Sequence, residues 1–160
     1  MSAPQLERKL ATAQNLTQLL AALPRPLVMT NGVFDLLHRG HVAYLQDARA
    51  LGAALVVAVN SDASVRRLGK GPERPLNTVE DRMALLAALE AVDLVLAFDE
   101  DTAEQAVLAV RPDIYVKGGD YQVENIPEGR AVLAYGGQVR AVPFAFQRST
   151  TALVQKIRKQ

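Results

Sequence analysis

The chain has 160 residues, 49% hydrophobic and 22% charged, which suits one globular domain with an ordinary core and excludes a disordered or collagen-like chain. Eighteen basic residues against 17 acidic ones give a formal net charge of +1, so no strong overall field attracts nucleic acid or a membrane. The absence of cysteine excludes disulfides, thiolate zinc sites and cysteine nucleophiles, and it is compatible with a reducing cytoplasm.

The N-terminal residues carry no secretion or membrane signal. Residues 1–11 mix charged and polar groups, and the longest apolar run, 53–59, is far too short to cross a bilayer. Residues 4–23 are predicted to form one helix that serves packing or a dimer contact. We therefore divide the chain into an N-terminal helix and connector, 1–25, and a single domain, 26–160, and expect a cytoplasmic protein.

Short apolar runs alternate with helical patterns from residue 27 onward, which is typical of a parallel sheet flanked by helices. Most of these runs are uninterrupted, as expected for strands buried on both faces. Five strands are predicted, at 27–30, 54–60, 94–98, 114–117 and 138–142. In this order they predict an α/β fold, a small doubly wound domain with a five-stranded parallel sheet.

Start and stop signals place helices between and after the strands. They are predicted at 40–51, from Thr78, from Thr102, at 128–135, and from Ser149 towards Lys159. Gly52 stands where a left-handed C-terminal cap would end the first of these helices. Thr102 and Gln105 have the spacing of a capping box.

The clearest functional signal follows the first strand, in residues 30–41 (TNGVFDLLHRGH). Ligands of open α/β sheets bind at the carboxyl ends of strands, where this segment lies. His38 and His41 are three residues apart at a helix start, so both rings can point to one side. Gly32 lets the backbone approach a ligand, and Gly40 is costly in a helix unless something approaches it closely. Two imidazoles beside the free N–H groups of a helix start predict a cradle for phosphate oxygens.

The chain has two histidines, and both stand in this motif, which argues against scattered structural roles. Two other interpretations stay open. The His-x-x-His spacing could ligate a metal, although the chain offers neither a third histidine nor a cysteine. The pair could also be an ordinary satisfied helix start.

The His-x-Gly-His pattern after Gly-x-Phe-Asp resembles the cytidylyltransferase-like nucleotidyltransferase superfamily, which is related to class I aminoacyl-tRNA synthetases. The resemblance runs from about Leu27 to the C-terminus, and it implies a Rossmann-like nucleotidyltransferase fold. Further matching segments follow in order at 57–62 (VAVNSD), 74–77 (RPLN), 81–83 (DRM), 116–121 (VKGGDY) and 149–151 (STT). Together they are most similar to the D-glycero-D-manno-heptose 1-phosphate adenylyltransferase group, in its stand-alone form because the chain has no room for the sugar kinase often fused to it.

This resemblance implies transfer of AMP from ATP to the heptose 1-phosphate, giving ADP-heptose for lipopolysaccharide and pyrophosphate, without a covalent enzyme intermediate. His38 and His41 would contact the triphosphate and stabilise the transition state. Lys70, in a flexible loop, would reach the phosphates, a solvated loop lysine being the alternative. The other implied nucleotide-binding residues are Asn31, Gly32, Phe34, Gly40, Lys117, Gly118, Asp120, Ser149, Thr150 and Thr151.

Two of these positions are also indicated by their own setting. Lys117 ends an apolar strand directly before two glycines, which favours an anion contact over snorkelling to solvent. Ser149 and Thr150 open the last helix, where hydroxyls and free N–H groups suit either a phosphate or a plain N-cap. Arg148 departs from the family pattern, which usually has a small or polar residue there.

Three residues are predicted to bind the acceptor substrate. Asp35 and Asn60 follow strands and could hydrogen-bond sugar hydroxyls or cap their own loops. Arg82 lies in the first turn of a helix, an unfavourable place for a cation. A substrate or nucleotide phosphate, which the resemblance implies, or an exposed pair with Glu80 or Asp81 would compensate its charge.

The implied cofactor is Mg²⁺ that arrives with ATP, since no compact acidic cluster would hold a metal alone. The implied partners are ATP, a sugar 1-phosphate and a second copy in a homodimer, without nucleic acid or membrane. Alternatives are another enzyme of the superfamily, of the pantetheine-phosphate adenylyltransferase or glycerol-phosphate cytidylyltransferase type, and a non-catalytic nucleotide-binding module. The basic C-terminal end would be compatible with nucleic-acid binding. The low aromatic content of 5% argues against it, because aromatic side chains are needed to stack on bases.

Overall fold

The computed structural model describes residues 6–119 and 122–159, which form one parallel sheet with helices on both faces. The strands are β1 (Leu27–Gly32), β2 (Ala54–Asn60), β3 (Leu94–Phe98), β4 (Ile114–Gly118) and β5 (Gln138–Val142). The α-helices are α1 (Leu16–Ala21), α2 (Arg39–Arg49), α3 (Asp62–Arg67), α4 (Val79–Ala87), α5 (Glu104–Val110), α6 (Pro127–Ala134) and α7 (Thr150–Arg158). Short 3₁₀ turns lie at Glu7–Lys9 and Val123–Asn125. None of these helices has the length and apolarity needed to cross a bilayer.

The five predicted strands and the doubly wound α/β fold are confirmed. The sheet order is β3-β2-β1-β4-β5, and every neighbouring pair is parallel. All seven residues of β2 are buried, because helices cover both faces of the sheet centre. β1 and β4 run slightly beyond their predicted ends, since pairing continues to Gly32 opposite Val59 and to Gly118 opposite Val142.

The sheet order reverses direction at β1, which has β2 on one side and β4 on the other. The chain leaves β1 for α2 on one face and reaches β4 only after two further strands. Such a switch point opens a crevice at the carboxyl ends of the two strands, and ligands of doubly wound folds bind there. The topology therefore places the His-x-Gly-His segment at the edge where a ligand is expected.

The N-terminal segment is not the single helix predicted for residues 4–23. Among its described residues it forms a 3₁₀ turn and then α1, separated by an extended stretch. The helix breaks because Leu10 makes a parallel bridge to Val95, and Ala11 N–H donates to the Val95 carbonyl at 2.8 Å. Lys9 Nζ donates to the Val92 carbonyl at 2.7 Å. The segment thus covers part of the β3 edge of the sheet.

Gly52 does not supply the left-handed cap expected of it. α2 ends at Arg49, and its C-cap, Ala50, is right-handed with φ −65°. A Cβ on Gly52 would lie 2.5 Å from the Pro26 carbonyl oxygen, so close backbone approach explains this glycine. The sequence analysis also missed α3, whose N-cap Ser61 accepts a hydrogen bond from Ser64 N–H at 3.1 Å.

The capping box predicted for Thr102 and Gln105 is wrong. The N-cap of α5 is Ala103, and no side chain of that helix caps it. Its N–H instead donates to Glu128 Oε1 at 2.8 Å, from the first turn of α6. A buried carboxylate 25 residues away therefore binds the N–H of the N-cap residue itself, a contact that the local pattern does not contain.

We expect Glu128→Ala to lower the free energy of unfolding by about 1–3 kcal/mol, because the buried Ala103 N–H would lose its acceptor. Urea unfolding of the variant and the wild type measures the difference. Glu124→Ala is a matched control, since Glu124 is exposed in the preceding 3₁₀ turn and its loss should cost less than about 0.5 kcal/mol. Equal stability of the Glu128 variant and the wild type would contradict the capping role.

Candidate active site

A pocket of about 390 Å³ opens beside the carboxyl ends of β1 and β4. It gathers most of the site residues predicted from the sequence, from β1, α2, the loop after α3, β4 and the start of α7. Those that line it are Asn31, Gly32, Phe34, Asp35, His38, His41, Lys70, Lys117, Gly118, Ser149, Thr150 and Thr151. Gly40, Asn60 and Arg82 do not line it, and Asp120 lies outside the described residues.

The two histidines stack on each other at the start of α2. His38 is the N-cap of this helix, and its Nδ1 accepts a hydrogen bond from His41 N–H at 3.4 Å. The ring centroids are 3.7 Å apart and the ring planes differ by 20°. Phe34 meets the His41 ring edge-on at 5.2 Å. Helix geometry and one capping bond thus hold both imidazoles side by side in the pocket wall.

Gly40 makes this stacking possible. A Cβ at this position would lie 3.0 Å from both Nδ1 and Cε1 of His38 and 3.2 Å from the Phe146 carbonyl oxygen. The close approach expected of this glycine is therefore made by the protein itself, by the His38 ring and the segment before α7. A larger residue would push the capping ring away from the helix start.

Both histidines are neutral near pH 7. Burial lowers the pKa of His41 to about 4, repulsion from His38 when that ring is protonated acts in the same direction, and a hydrogen bond with the Leu36 backbone opposes both. Burial and the charge of Arg148 also lower the pKa of His38. Among the described residues, His41 Nδ1 is the one buried side-chain nitrogen or oxygen without a hydrogen-bond partner. The pair therefore presents neutral hydrogen-bonding groups rather than two cations.

The lowered pKa of His41 makes stability depend on pH. The unfolded chain takes up a proton near pH 6.5 and the folded one only near pH 4, so keeping His41 neutral stabilises the fold fully above pH 6.5. This contribution is lost as the pH falls from 6.5 towards 4. We expect the free energy of unfolding of the wild type to fall more over that range than that of His41→Asn, which has no titrating ring. Urea unfolding across the range tests this, and parallel curves for the two proteins would contradict it.

The charged residues in the rest of the lining are mostly cationic. Lys70, Lys117 and Arg148 join Arg74 around the pocket, and Asp35 is the one carboxylate among the described lining residues. Burial lowers the pKa of Lys117, and the charge of Glu128 opposes this. Partial burial and the charge of Arg74 lower the pKa of Lys70, while Asp35 opposes them. Like charges brought this close favour an anion in the space between them.

The start of α7 closes one side of the pocket. Ser149 is its N-cap, and the hydroxyl accepts a hydrogen bond from Ala152 N–H at 3.0 Å. The Thr150 hydroxyl donates to the Leu36 carbonyl at 3.2 Å, which ties α7 to the loop before α2. The plain N-cap interpretation of Ser149 is thus confirmed, while phosphate binding by the first turn of α7 stays a prediction.

The side chains of Asp35 and Asn60 both form hydrogen bonds within the protein. Asp35 is buried and accepts hydrogen bonds from the backbone N–H groups of Leu76 and Asn77, each at 2.9 Å. Burial alone would raise the pKa of Asp35, but these bonds and Arg74 outweigh it and lower the pKa. The Asn60 amide donates to Ser64 Oγ at 3.0 Å and lies outside the pocket. Asn60 thus caps its own segment as expected, whereas Asp35 holds the distant loop 74–77, a role that was not predicted.

The structure contradicts both roles expected of Arg82, phosphate binding and an exposed pair with Glu80 or Asp81. Its side chain is fully buried, away from the pocket, and it pairs with Asp62 at 2.8 Å rather than with Glu80 or Asp81. Other guanidinium nitrogens donate to backbone carbonyls, to that of Val33 at 2.8 Å among them. Its position in the first helical turn is explained by contacts with distant loops, which the local pattern does not contain.

Four pocket residues were not singled out from the sequence: Val33, Tyr44, Arg74 and Phe144. Tyr44 lies one turn after His41, and its hydroxyl shares a 2.6 Å hydrogen bond with the Thr30 hydroxyl. Phe144 lies beside Gly118, whose Cβ would stand 2.5 Å from the phenyl ring. Arg74 comes from the RPLN segment, which entered only as part of the resemblance. No local signal distinguished Phe144 from Phe146, which also lies between β5 and the helix-start serine.

The donor set suits phosphate oxygens rather than a metal bound by protein alone. Within the described residues, no group of three or more His, Cys, Asp or Glu side chains converges as a metal site would require. Asp35 is already surrounded by donors, and the stacked histidines have no third ligand beside them in this part of the chain. The His-x-x-His metal interpretation therefore finds no support in the geometry.

Comparison with known proteins agrees with a site for phosphate groups. The sequence pattern of the family described as "Cytidylyltransferase-like" matches residues 29–155. The chain is 58% identical over 99% of both chains to D-beta-D-heptose 1-phosphate adenylyltransferase of Bordetella bronchiseptica. It is 50% identical to the bifunctional protein HldE of Pseudomonas syringae, of whose length it spans 36%.

Solved structures show the same fold. A lipopolysaccharide core biosynthesis protein from Thermoplasma volcanium is 33% identical, with a TM-score of 0.63 over 76% of this chain and 98% of that one. Pantothenate synthetase from Thermus thermophilus, at 21% identity and a TM-score of 0.56, shares the fold over 84% of this chain and 61% of its own. The pattern match, the close relatives and the paired histidines at the switch point agree, and the chain belongs to the cytidylyltransferase-like family.

Proposed function

We propose that this nucleotidyltransferase transfers AMP from ATP to D-glycero-β-D-manno-heptose 1-phosphate, giving ADP-heptose and pyrophosphate for lipopolysaccharide synthesis. The observation that carries the proposal is the stacked His38–His41 pair at a helix start inside a cationic pocket. The sugar is taken from the Bordetella relative, which bears the name of a heptose 1-phosphate adenylyltransferase and matches along nearly the whole chain.

In this reaction an oxygen of the sugar phosphate attacks the α-phosphorus of ATP as the bond to pyrophosphate breaks. The protein forms no covalent bond, so its work is to position two anions and to stabilise the charge that develops. His38 and His41, being neutral, do this as hydrogen-bonding groups beside the N–H groups at the start of α2. Holding the rings stacked in advance avoids reorganisation during the reaction.

The cationic side chains bring the two anions together. Lys117, at the end of β4, holds the nucleotide phosphates from a half-buried position in the pocket wall. Lys70 lies on the exposed loop after α3 and approaches the phosphates during the reaction. The N–H groups at the start of α7 add a further phosphate contact. In the low-dielectric pocket these charges act more strongly than they would in water.

Enzymes of this family generally use a divalent ion with ATP, and we assign it as Mg²⁺. The triphosphate would hold the ion, since Asp35 already has its own donors and the described lining offers no other carboxylate. Mg²⁺ would neutralise phosphate charge when bound. A cytoplasmic location, where ATP is available, a homodimeric assembly and the division of the chain after residue 25 also stay predictions.

Pyrophosphate release measured with a panel of donors and acceptors tests the proposal. The panel crosses ATP and CTP with the α- and β-anomers of heptose 1-phosphate, glycerol 3-phosphate and 4′-phosphopantetheine. We expect release only with ATP and the β-anomer. Preference for CTP or for another acceptor would assign the chain to another branch of the family. ATP binding without acceptor-dependent release would show a non-catalytic module and refute the proposal.

A further inference from the structure

We infer that Arg74 binds the phosphate of the acceptor substrate and that Asp35 orients its guanidinium group for this purpose. The inference rests on the proposed function, since it assigns one of the two anions in that reaction. Neither residue's setting is explained by the histidine pair or by the start of α7.

Arg74 is a buried cation at the edge of the pocket. Only 6% of its side chain is exposed, yet it lines the cavity. Its Nε donates to Asp35 Oδ2 at 2.6 Å, and the Asp35 side chain is fully buried. A buried ion pair of this kind stabilises a fold little by itself, because removing two charges from water costs about as much as their attraction returns.

Asp35 has no capacity left for a substrate. The N–H groups of Leu76 and Asn77 take up Oδ1, Leu76 also reaches Oδ2, and Arg74 completes the set. The Asn77 side-chain amide donates to the Asp35 backbone carbonyl at 2.6 Å. The carboxylate and the loop that carries Arg74 therefore form one rigid unit, which fixes the direction of the guanidinium plane.

The two terminal amino groups of Arg74 remain for a ligand. Within residues 6–119 and 122–159 the only side-chain hydrogen bond of Arg74 is the one through Nε. His41 Nδ1 is the sole fully buried and partnerless side-chain polar atom in the same residues, so Nη1 and Nη2 of Arg74 must be accessible. Since the rest of the side chain is enclosed and Arg74 lines the cavity, that accessible space is the pocket.

A phosphate is the ligand that this geometry suits. Guanidinium is always charged and planar, and its paired N–H groups match two oxygens of a phosphate. Lys70 lies near enough for the Arg74 charge to affect its titration, so two cations from one loop face the same space. The histidines, Lys117 and the start of α7 come from other segments and serve the nucleotide. A reaction between two polyanions needs a second cationic group of this kind for the acceptor.

Arg74→Lys tests the assignment, because it keeps the charge but loses the paired N–H groups. We expect the KM for heptose 1-phosphate to rise about tenfold or more, the loss of roughly one charge-assisted hydrogen bond, with the KM for ATP changed less than about threefold. Asp35→Asn, which removes the orienting charge, should raise the same KM selectively but less. Arg67→Lys is the control: Arg67 is an exposed arginine, paired with Asp101 outside the pocket, and both KM values should stay unchanged.

A merely structural role would lower the unfolding temperature of the Arg74 variant and leave both KM values alone, which would overturn the inference. An equal rise in both KM values, or a rise for ATP alone, would also overturn it. If the variants fail to fold, a crystal structure of the wild-type protein with heptose 1-phosphate decides, and a phosphate away from Arg74 Nη1 and Nη2 refutes the assignment. A wild type without acceptor-dependent pyrophosphate release refutes the proposed function, whereas an active enzyme indifferent to Arg74→Lys refutes this inference alone.

Discussion

Replacing His41 with alanine is expected to lower turnover by about two to three orders of magnitude while the protein stays folded. The imidazole lines the pocket, is neutral because burial lowers its pKa to about 4, and is held by stacking on His38. In the proposed reaction a preorganised hydrogen-bonding group at this position would stabilise the charge that develops on the α-phosphoryl group, and alanine offers none. Because the effect arises in the transition state, kcat should fall far more than the KM for either substrate rises.

The measurement is acceptor-dependent pyrophosphate release at saturating ATP and heptose 1-phosphate, together with urea unfolding of each protein. Gln46→Ala is the matched control, because Gln46 is exposed on the same helix, away from the pocket. It should keep wild-type turnover. A folded His41→Ala protein with wild-type turnover would remove His41 from the mechanism.

The parts of the fold that could be predicted are those with local causes. The uninterrupted apolar residues of β2 and β3 predict buried strands by themselves. Both strands begin and end where predicted. Ser149 and Thr78 act as helix N-caps because a cap is made by residues three positions apart. The two histidines were found for the same reason, since their stacking follows from one turn of helix after a strand.

The errors have the opposite origin, in contacts between distant residues. Leu10 leaves a helical pattern because an unpaired sheet edge at Val95 is available to it. Thr102 is not the cap because the N-cap of α5 is the next residue, Ala103, whose N–H donates to Glu128 in another helix. The residues around these positions do not indicate the distant partner. A prediction from local sequence therefore assigns the capping role to the nearest polar residue.

In the candidate site, too, the errors arise from contacts between residues that are distant in sequence. Arg82 was assigned to a substrate because its helix position is unfavourable for a cation, and the compensation is real but internal, from Asp62 and two loop carbonyls. Arg74 was passed over as a site residue although it lines the pocket with accessible amino groups. The two arginines are eight positions apart in sequence, and only the tertiary structure tells which of them lines the pocket.

His38 combines two roles that a single variant can separate. Its Nδ1 accepts the capping hydrogen bond from His41 N–H, so the neutral ring carries its proton on Nε2. Capping therefore fixes the tautomer that leaves Nε2–H free to act as a donor. Asparagine is among the best N-cap residues, so His38→Asn keeps the cap, while its shorter amide does not replace the Nε2–H group.

We expect His38→Asn to lower kcat by about two orders of magnitude and to leave the free energy of unfolding near that of the wild type. His38→Ala should show the same loss of kcat and, in addition, a stability about 1 kcal/mol lower, because the cap is lost as well. Steady-state kinetics and urea unfolding of the two variants measure both quantities. If His38→Asn turned over like the wild type, the cap would be all that His38 contributes, and the chemistry would rest on His41 and the helix N–H groups. Loss of stability in both variants alike would instead show that the ring is needed for packing, since asparagine restores the cap but not the stack on His41.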